Sequence, residues 1–177
     1  IDVLVASDDS EAVVEAFTDW AEADDIIEAG THKSSLRADD VRVDLRVVVP
    51  DEFGSALQYF TGSKDHNVRL RNVAISQDKK VNEYGIFDVS ELDDPEDSTA
   101  EDTRREGVRL GGETEAEMYD ALGLDWIPPE IREDRGEIDA AAEGALPELV
   151  EQSAIGGELH THTEWSDGRY TIREMAA

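Results

Sequence analysis

Apolar residues recur along the chain at two spacings, alternating in some segments and three or four apart in others. Alternation predicts strands, and the longer spacing predicts helices. A polar run at 7–10 precedes helical spacing and supplies candidate N-cap residues. The first elements predicted are a strand at 1–5, a helix at 10–22, a short strand at 26–27 and a hairpin that joins Leu36 to the run 41–49 through a turn at 38–40.

Pro50 ends the second hairpin strand, and Asp51 is expected to cap the helix that follows. Gly62 and Ser63 then break that helix and begin another. The stretch 88–106 holds nine acidic residues and predicts a solvated loop. The later elements predicted are helices at 52–60, 64–78, 113–122 and 137–151, a strand at 81–87 and a strand that opens the segment 156–177.

The segment Val41 to Val47 alternates strictly, so its valines and leucine share one face and Arg42, Asp44 and Arg46 share the other. A solvated polar face is the commoner interpretation of such a strand. The functional interpretation is that Asp44 is a metal ligand held ionised between two guanidinium groups. Asp2, on the opening strand, can be interpreted in the same way. Acidic residues are frequent in this sequence, and the pattern alone leaves both interpretations open.

Charge is the strongest global feature, with 16 Lys and Arg against 44 Asp and Glu and a net charge of −28. One interpretation is an acidic, partly disordered interaction protein. The other is a folded domain adapted to a high-salt cytoplasm, where screening is short-ranged. The acidic residues are spread among periodic apolar segments, which favours the salt-adapted, halophilic domain.

Membrane and cysteine chemistry are excluded by composition. No apolar run approaches the roughly 18 residues that a membrane span needs, so we expect a cytoplasmic protein without membrane partners. The sequence contains no cysteine, which excludes disulfides, a thiolate nucleophile and Cys-based metal sites.

The segment Tyr59-Phe60-Thr61-Gly62-Ser63, followed by Asn67, resembles the palm-to-thumb junction of the family X DNA polymerases. The segments 82–84, 111–122 and 42–46 are similar, in order, to the thumb strand, the closing thumb helix and the strand of the third catalytic carboxylate. The resemblance implies an α+β fold: a partial nucleotidyltransferase palm, with an antiparallel sheet and a helix, followed by a small α/β thumb.

This resemblance implies roles for individual residues. Asp2 and Asp44 would be catalytic and would hold two Mg²⁺ ions, with Arg46 pairing with the acids before closure. Tyr59 and Phe60 would lie against the incoming sugar, whereas His66 is interpreted as a surface histidine. The nucleotide- and DNA-binding residues implied are Arg46, Tyr59, Phe60, Gly62, Ser63, Asn67 and Arg71.

A cluster of positive charge adjoins this motif. Residues 64–80 contain five basic and two acidic residues, within a chain of net charge −28. We interpret the cluster as a surface that meets a phosphate backbone, although chance clustering would give the same pattern. The expected partners are gapped or primer-template DNA and a deoxynucleoside triphosphate, with the protein a monomer.

Near the C-terminus, His160 and His162 are two residues apart and Asp167 follows within a Ser-Asp-Gly. On a strand, both imidazoles would share one face. The motif resembles the start of the PHP (polymerase and histidinol phosphatase) domain, which implies that these three residues belong to a cluster binding Mn²⁺ or Zn²⁺ for 3′–5′ exonuclease chemistry.

The expected domains are therefore the C-terminal part of the palm at 1–57, the thumb at 58–130, a linker at 131–155 and the start of the PHP domain at 156–177. The function predicted is template-directed nucleotidyl transfer in DNA repair gap filling. We expect the chain itself to be inactive, because the partner acid of Asp2 would precede Ile1. The alternative is a non-catalytic DNA-binding or scaffold module of a salt-adapted protein.

Overall fold

The computed structural model describes residues 1–92, 101–157 and 160–176. The chain divides into two compact units, residues 1–146 and residues 147–177. The first unit contains two sheets and most of the helices, and the observed α+β composition agrees with the prediction.

The first sheet has four strands in the order β1-β4-β3-β2. The prediction of an antiparallel sheet was wrong at one edge, because β1 pairs with β4 in parallel. A helix, α1, connects β1 to β2, so both strands run in the same direction, and the antiparallel hairpin then places β4 beside β1. The bounds are β1 Asp2–Ala6, α1 Ser10–Thr18, β2 Asp25–Ala29, β3 Lys33–Ala38 and β4 Val41–Val48.

The hairpin predicted around 38–40 is confirmed. Asp39 and Asp40 both have positive φ, 49° and 62°, which is the conformation of a two-residue type I′ turn. The alternation of β4 is confirmed as well, since Val43, Leu45 and Val47 are buried. The polar residues Arg42, Asp44 and Arg46 therefore lie on the opposite face of β4.

Helix α1 begins as predicted but ends early. The Asp9 carboxylate accepts a hydrogen bond from the Ala12 N–H at 3.0 Å and caps it. The helix ends at Thr18 instead of near 22, because the chain turns at Asp19 and Trp20. Phe17 packs against the buried Leu36 and Val43, so α1 covers the apolar face of the sheet.

The next helix, α2, spans Phe53–Thr61, and Asp51 does not cap it: that prediction was wrong. Residues Pro50–Glu52 form a 3-10 turn, and the first helical N–H groups bond to backbone instead. Gly54 N donates to Glu113 O at 3.0 Å and Ser55 N donates to Gly112 O at 2.9 Å. These bonds replace a side-chain cap.

Helix α3 spans Lys64–Ile75 and begins, as predicted, after Gly62 and Ser63. The strand predicted over 81–87 is instead a hairpin of β5 (Lys79–Asn82) and β6 (Gly85–Asp88). The Asn82 side-chain carbonyl accepts from the Tyr84 N–H at 3.0 Å and forms the turn. A third strand, β7 (Val108–Gly111), was not predicted and pairs with β6.

Helices α4 (Glu115–Asp120) and α5 (Glu137–Ala142) complete the first unit. Both are shorter than predicted, because glycines with positive φ follow each of them, Gly123 at 72° and Gly144 at 65°. The larger apolar core lies between α3, α4, α5 and the β5–β6 hairpin. The predicted acidic loop 88–106 falls partly outside the described residues, and its end forms a 3-10 helix at Glu101–Arg105.

The second unit contains a 3-10 turn at Gln152–Ala154 and a short helix α6 at Ile172–Met175. Residues 158–159 of the strand predicted from 156 onward lie outside the described residues. The described residues 160–163 belong to no strand, because no neighbouring segment pairs with them. Within the described part of the chain, no helix has the length and apolarity needed to cross a membrane.

Candidate active site

Two carboxylates predicted to act together lie side by side in the first sheet. Asp2 of β1 is the register partner of Asp44 of β4. Register partners on adjacent strands point to the same face and are separated by about 5 Å. Both line one cavity of about 440 Å³, together with residues of α2. Helix α1 covers the opposite face of the sheet, so it does not cover the face on which the two carboxylates lie.

Asp44 is held by its neighbours. Arg42 Nη2 donates to Asp44 Oδ1 at 2.7 Å, and Arg42 Nε donates to Oδ2 at 2.9 Å. The Ser35 hydroxyl, on β3, also donates to Oδ1. The hydrogen bonds from Arg42 and then from Ser35 lower the pKa of Asp44 to about 2. Asp44 is therefore ionised at neutral pH.

The donor set suits a hard cation. Mg²⁺ keeps several waters and is bound through one or two carboxylates together with substrate phosphates. Asp2 and Asp44 supply two such carboxylates on one face of the sheet. Among the described residues, no group of three or more His, Asp or Glu side chains converges on a metal position. The pair alone would leave coordination positions for water or phosphate.

Arg46 does not pair with the carboxylates, contrary to the prediction. Its guanidinium lies over the Phe60 ring, 4.6 Å from the ring centroid, which is a cation–π geometry. In the described part of the chain it forms no ion pair. Asp44 is thus held by one guanidinium group, that of Arg42, and by the Ser35 hydroxyl, and not between two guanidinium groups.

Tyr59 and Phe60 diverge at the end of α2. Their rings meet edge to face at 5.0 Å between centroids, but they line different cavities. Phe60 lines the cavity of Asp2 and Asp44. Tyr59 lines a second, more polar cavity of about 330 Å³ together with Arg71. Of the two predicted aromatic residues, Phe60 is therefore the one that lines the cavity of the carboxylates.

The turn between α2 and α3 is tightly built. A Cβ at Gly62 would lie 3.2 Å from the Asn67 Oδ1 and the His66 ring, so a larger residue would press on both. The Ser63 hydroxyl accepts from the His66 N–H at 3.1 Å and caps α3. Ser63 thus has a structural role in positioning α3.

Asn67 is half-buried, and its amide contacts α2. Gln58 Nε2 donates to Asn67 Oδ1 at 2.8 Å, and Asn67 Nδ2 donates to the Tyr59 carbonyl at 2.8 Å. Sequence reasoning missed Gln58, which is 1% exposed. No local motif marks a buried glutamine at that position.

The interpretation of His66 as a surface histidine was wrong, because its side chain is fully buried. Its Nδ1 contacts Glu137 Oε1 at 2.7 Å, and its Nε2 contacts the Tyr119 hydroxyl at 3.1 Å. Both partners lie more than 50 residues away in sequence. Burial lowers the pKa of His66 despite the hydrogen bond to Glu137, so the imidazole is neutral at pH 7.

The predicted basic cluster is only partly available to a ligand. Arg71 is exposed and lines the second cavity, where Lys80 and Arg104 also lie. Arg69 instead pairs with Asp139 at 3.1 Å, and Lys79 donates to the Ala121 carbonyl at 2.6 Å. Arg104 was missed, since it lies in the acidic stretch interpreted as a loop.

In the second unit, one of the three residues predicted to bind metal, His162, contacts the other two, His160 and Asp167. His162 Nε2 lies 2.9 Å from His160 Nε2, and His162 Nδ1 contacts the Asp167 carboxylate. Because the two nitrogens of His162 point away from each other, Asp167 and His160 lie on opposite sides of that ring. The hydrogen bond from His162 lowers the pKa of Asp167.

Known proteins resemble this chain in sequence and in structure. The family model of the DNA polymerase beta thumb matches residues 56–133. The DNA polymerase/3′-5′ exonuclease PolX of Bacillus subtilis (strain 168) is 34% identical over 179 residues, which cover 99% of this chain and 28% of that protein.

Two structures of Leishmania infantum polymerase beta, a ternary P/T complex and a ternary gap complex, give TM-scores of 0.51 and 0.55 at 23% identity. Each likeness covers 70% of this chain, and 51% and 48% of those chains.

The fold is thus of the polymerase beta palm-and-thumb type. The chain belongs to the family X DNA polymerases. It spans about 28% of the length of the B. subtilis relative.

Proposed function

We propose that this chain is the part of a template-directed DNA polymerase that carries two of its catalytic carboxylates and its thumb. The observation that carries the proposal is the placement of Asp2 and Asp44 as register partners facing one cavity. Phe60, from the segment that resembles the family's junction motif, lines that same cavity. The reaction proposed is transfer of a deoxynucleotide to a primer 3′-hydroxyl during gap filling in DNA repair.

Asp2 and Asp44 would hold Mg²⁺ in this site. Bound Mg²⁺ would supply Lewis acidity to the primer 3′-oxygen and to the triphosphate. The neighbouring residues of the chain keep the metal-binding carboxylate charged and correctly oriented. Arg42 and Ser35 hold the Asp44 carboxylate ionised and fix its direction, so it is ready to bind a cation without rearrangement.

The thumb residues would contact the nucleotide and the DNA. Phe60 would lie against the sugar, where its bulk disfavours a ribose 2′-hydroxyl, and Gly62 would allow the backbone close approach. Arg71, an exposed cation that lines the second cavity, would face the nascent base pair from its minor-groove side together with Asn67. An acidic chain that retains a cluster of basic residues at 64–80 is consistent with DNA as its partner.

The C-terminal unit would begin a PHP phosphoesterase domain that adds 3′–5′ exonuclease activity. His160 and His162 would be its first ligands for Mn²⁺ or Zn²⁺, and Asp167 would act with them. Support comes from the contact between the two Nε2 atoms, which lets both imidazoles approach one ion.

Single-nucleotide gap filling by the full-length protein with Mg²⁺ tests this proposal, with Asp44→Ala as the variant. We expect Asp44→Ala to lose insertion while still binding gapped DNA. Undiminished insertion by Asp44→Ala would refute the proposed site. DNA binding without insertion by either protein would favour a non-catalytic DNA-binding module.

A further inference from the structure

Among the described residues, Arg132 has the largest side chain that is fully buried. Its guanidinium keeps its charge at all ordinary pH values, and a buried charge is costly unless partners compensate it. The sequence places Arg132 in the linker predicted over 131–155, but the structure builds it into the interior of the thumb, where its neighbour Ile131 packs against the larger apolar core. The partners of Arg132 therefore show what this residue contributes.

The guanidinium joins the two ends of the segment 127–132. Arg132 Nε and Nη2 both donate to the Ile127 carbonyl, at 3.0 and 2.8 Å. Because Arg132 is itself the last residue of the segment, these two bonds close it into a loop around the 3-10 turn at Pro129–Ile131. The planar fork of two nitrogens fixes the direction of the contact as well as its distance. We name residues 127–132 the Arg132 loop.

The rest of the guanidinium is held by α4 and by two aromatic rings. Its Nη1 donates to Glu115 Oε1 at 2.7 Å, and Glu115 is the first residue of α4. The guanidinium carbon lies 5.4 Å from the centroid of the Tyr119 ring and 5.9 Å from that of the Trp126 ring, which is within cation–π range. Glu115 thus neutralises the buried charge, whereas the bonds to the Ile127 carbonyl shape the Arg132 loop.

The backbone of Arg132 reaches the turn between α2 and α3. Its carbonyl accepts from the Ser63 N–H at 3.2 Å. The preceding Gly62 N–H instead donates to the Gln58 carbonyl at 3.2 Å, within the last turn of α2. The Ser63 carbonyl in turn accepts from the Asn67 N–H at 3.0 Å and belongs to the first turn of α3. The start of α3 is therefore tied to the Arg132 loop through the Ser63 N–H.

We propose that Arg132 is a positioning residue of the nucleotide site. By closing the Arg132 loop, its guanidinium holds the residue 132 carbonyl in place, and that carbonyl holds the turn at Gly62 and Ser63 where its backbone can approach the nucleotide. The side chain and the carbonyl belong to one residue, so displacement of the guanidinium moves the acceptor of the Ser63 N–H. This inference rests on the proposed polymerase function.

Arg132→Met and Glu115→Gln form a matched pair of variants. Both remove the buried ion pair, and both are expected to lower the free energy of unfolding because a buried group loses its charged partner. Only Arg132→Met releases the Ile127 carbonyl, since in Glu115→Gln the guanidinium keeps both bonds there and the glutamine oxygen can still accept from Nη1. Arg132→Lys keeps the charge but cannot form the two-nitrogen contact.

The first measurement is amide hydrogen exchange of Ser63 in the 177-residue chain, expressed as a ratio to that of Ser55. The Ser55 N–H donates to the Gly112 carbonyl at 2.9 Å, so a general loss of stability affects both amides. We expect the ratio to rise by about tenfold in Arg132→Met and by less in Arg132→Lys, and to stay within about twofold in Glu115→Gln.

An unchanged ratio in the Arg132 variants, or an equal rise in Glu115→Gln, would overturn the inference. If Arg132→Met shows no cooperative urea transition, Arg132→Lys decides by the same ratio. This readout does not depend on polymerase activity.

The second measurement is single-nucleotide gap filling by the full-length protein. We expect Arg132→Met to raise the KM for the correct nucleotide by about tenfold and Arg132→Lys to raise it by less. The kcat should change little, because Asp2 and Asp44 belong to the first sheet and not to the thumb. Glu115→Gln should leave the KM within about twofold.

An equal KM increase in Glu115→Gln, or an unchanged KM in an Arg132 variant whose Ser63 ratio rises, would overturn the inference. A wild-type protein that inserts no nucleotide would instead refute the proposed function, while the exchange ratio would still decide whether Arg132 holds the turn.

Discussion

Arg42 clamps Asp44 through two nitrogens, with Nη2 at 2.7 Å from Oδ1 and Nε at 2.9 Å from Oδ2. The two residues are two apart on β4 and lie on the face that carries Asp2. The clamp holds the Asp44 carboxylate in one direction and in its charged form. Its contribution is best seen in the titration of Asp44.

Replacement of Arg42 is therefore expected to raise the pKa of Asp44 from about 2 toward its ordinary value. Arg42→Lys should restore the low value only in part, because an ammonium group cannot form the two-nitrogen contact. The side-chain carboxyl carbon of Asp44, followed by NMR between about pH 1.5 and 6, measures this pKa. A midpoint unchanged in Arg42→Ala would show that Ser35 alone sets the charge state.

Gly54→Ala is expected to separate α2 from the thumb. A Cβ at Gly54 would overlap the backbone of Thr114, where the Gly54 N–H donates to Glu113 O. Backbone cannot yield as a flexible side chain can, so we expect a loss of about 1–3 kcal/mol or more in the free energy of unfolding. Urea denaturation measures it. Gly156→Ala is the control, because nothing lies within 4 Å of the added Cβ.

We expect the free energy of unfolding to decrease as the pH falls below about 6.5, the ordinary pKa of histidine. The folded protein keeps His66 neutral because burial lowers its pKa, whereas the unfolded chain takes up the proton. More protons bound in the unfolded state means that unfolding becomes more favourable as the pH decreases. Glu137, whose folded pKa is also lowered, acts in the same direction but only below about 4.5.

Urea denaturation at about pH 7.5 and 5.5 tests this dependence on His66. His66→Asn is the comparison, since its amide can donate to Glu137 without titrating. We expect the wild type to lose more stability than His66→Asn over this interval. Equal pH dependence of the two proteins would show that other groups are responsible.

The net charge of −28 predicts that salt stabilises the fold. Like charges repel across the surface, and the Debye length shortens from about 10 Å at 0.1 M to about 3 Å at 1 M salt. We expect the thermal midpoint to rise over that range of KCl. Tetramethylammonium chloride should act equally if screening is the cause. A midpoint that falls with added salt would count against adaptation to high salt.

The sequence predicted best those features that depend on neighbouring residues. The hairpin turn at Asp39 and Asp40, the alternation of β4 and the start of α3 after Ser63 each follow from local chemistry, and each is confirmed. The family was predicted from the junction motif together with three further segments, 42–46, 82–84 and 111–122, that match the family in order.

Features set by distant contacts were missed. The parallel pairing of β1 with β4 depends on the long connection formed by residues 7–40. The first N–H groups of α2 bond to the backbone of residues 112–113, and Asp51 does not cap it. His66 was misplaced because its partners, Glu137 and Tyr119, are more than 50 residues away. Residues next to His66 in sequence do not indicate that its side chain is buried against such distant partners.

The central claim is that Asp2 and Asp44 bind one divalent cation beside Phe60. The most direct test is Mn²⁺ titration of the 177-residue chain with a deoxynucleoside triphosphate present, followed by paramagnetic broadening of backbone amides. A high KCl concentration suppresses diffuse binding to the acidic surface, and Asp120→Asn serves as a control that removes one exposed carboxylate elsewhere. The claim predicts that residues 2 and 44 broaden first and that Asp44→Asn, but not Asp120→Asn, abolishes the effect. Broadening that begins elsewhere, or that survives in Asp44→Asn, would contradict it.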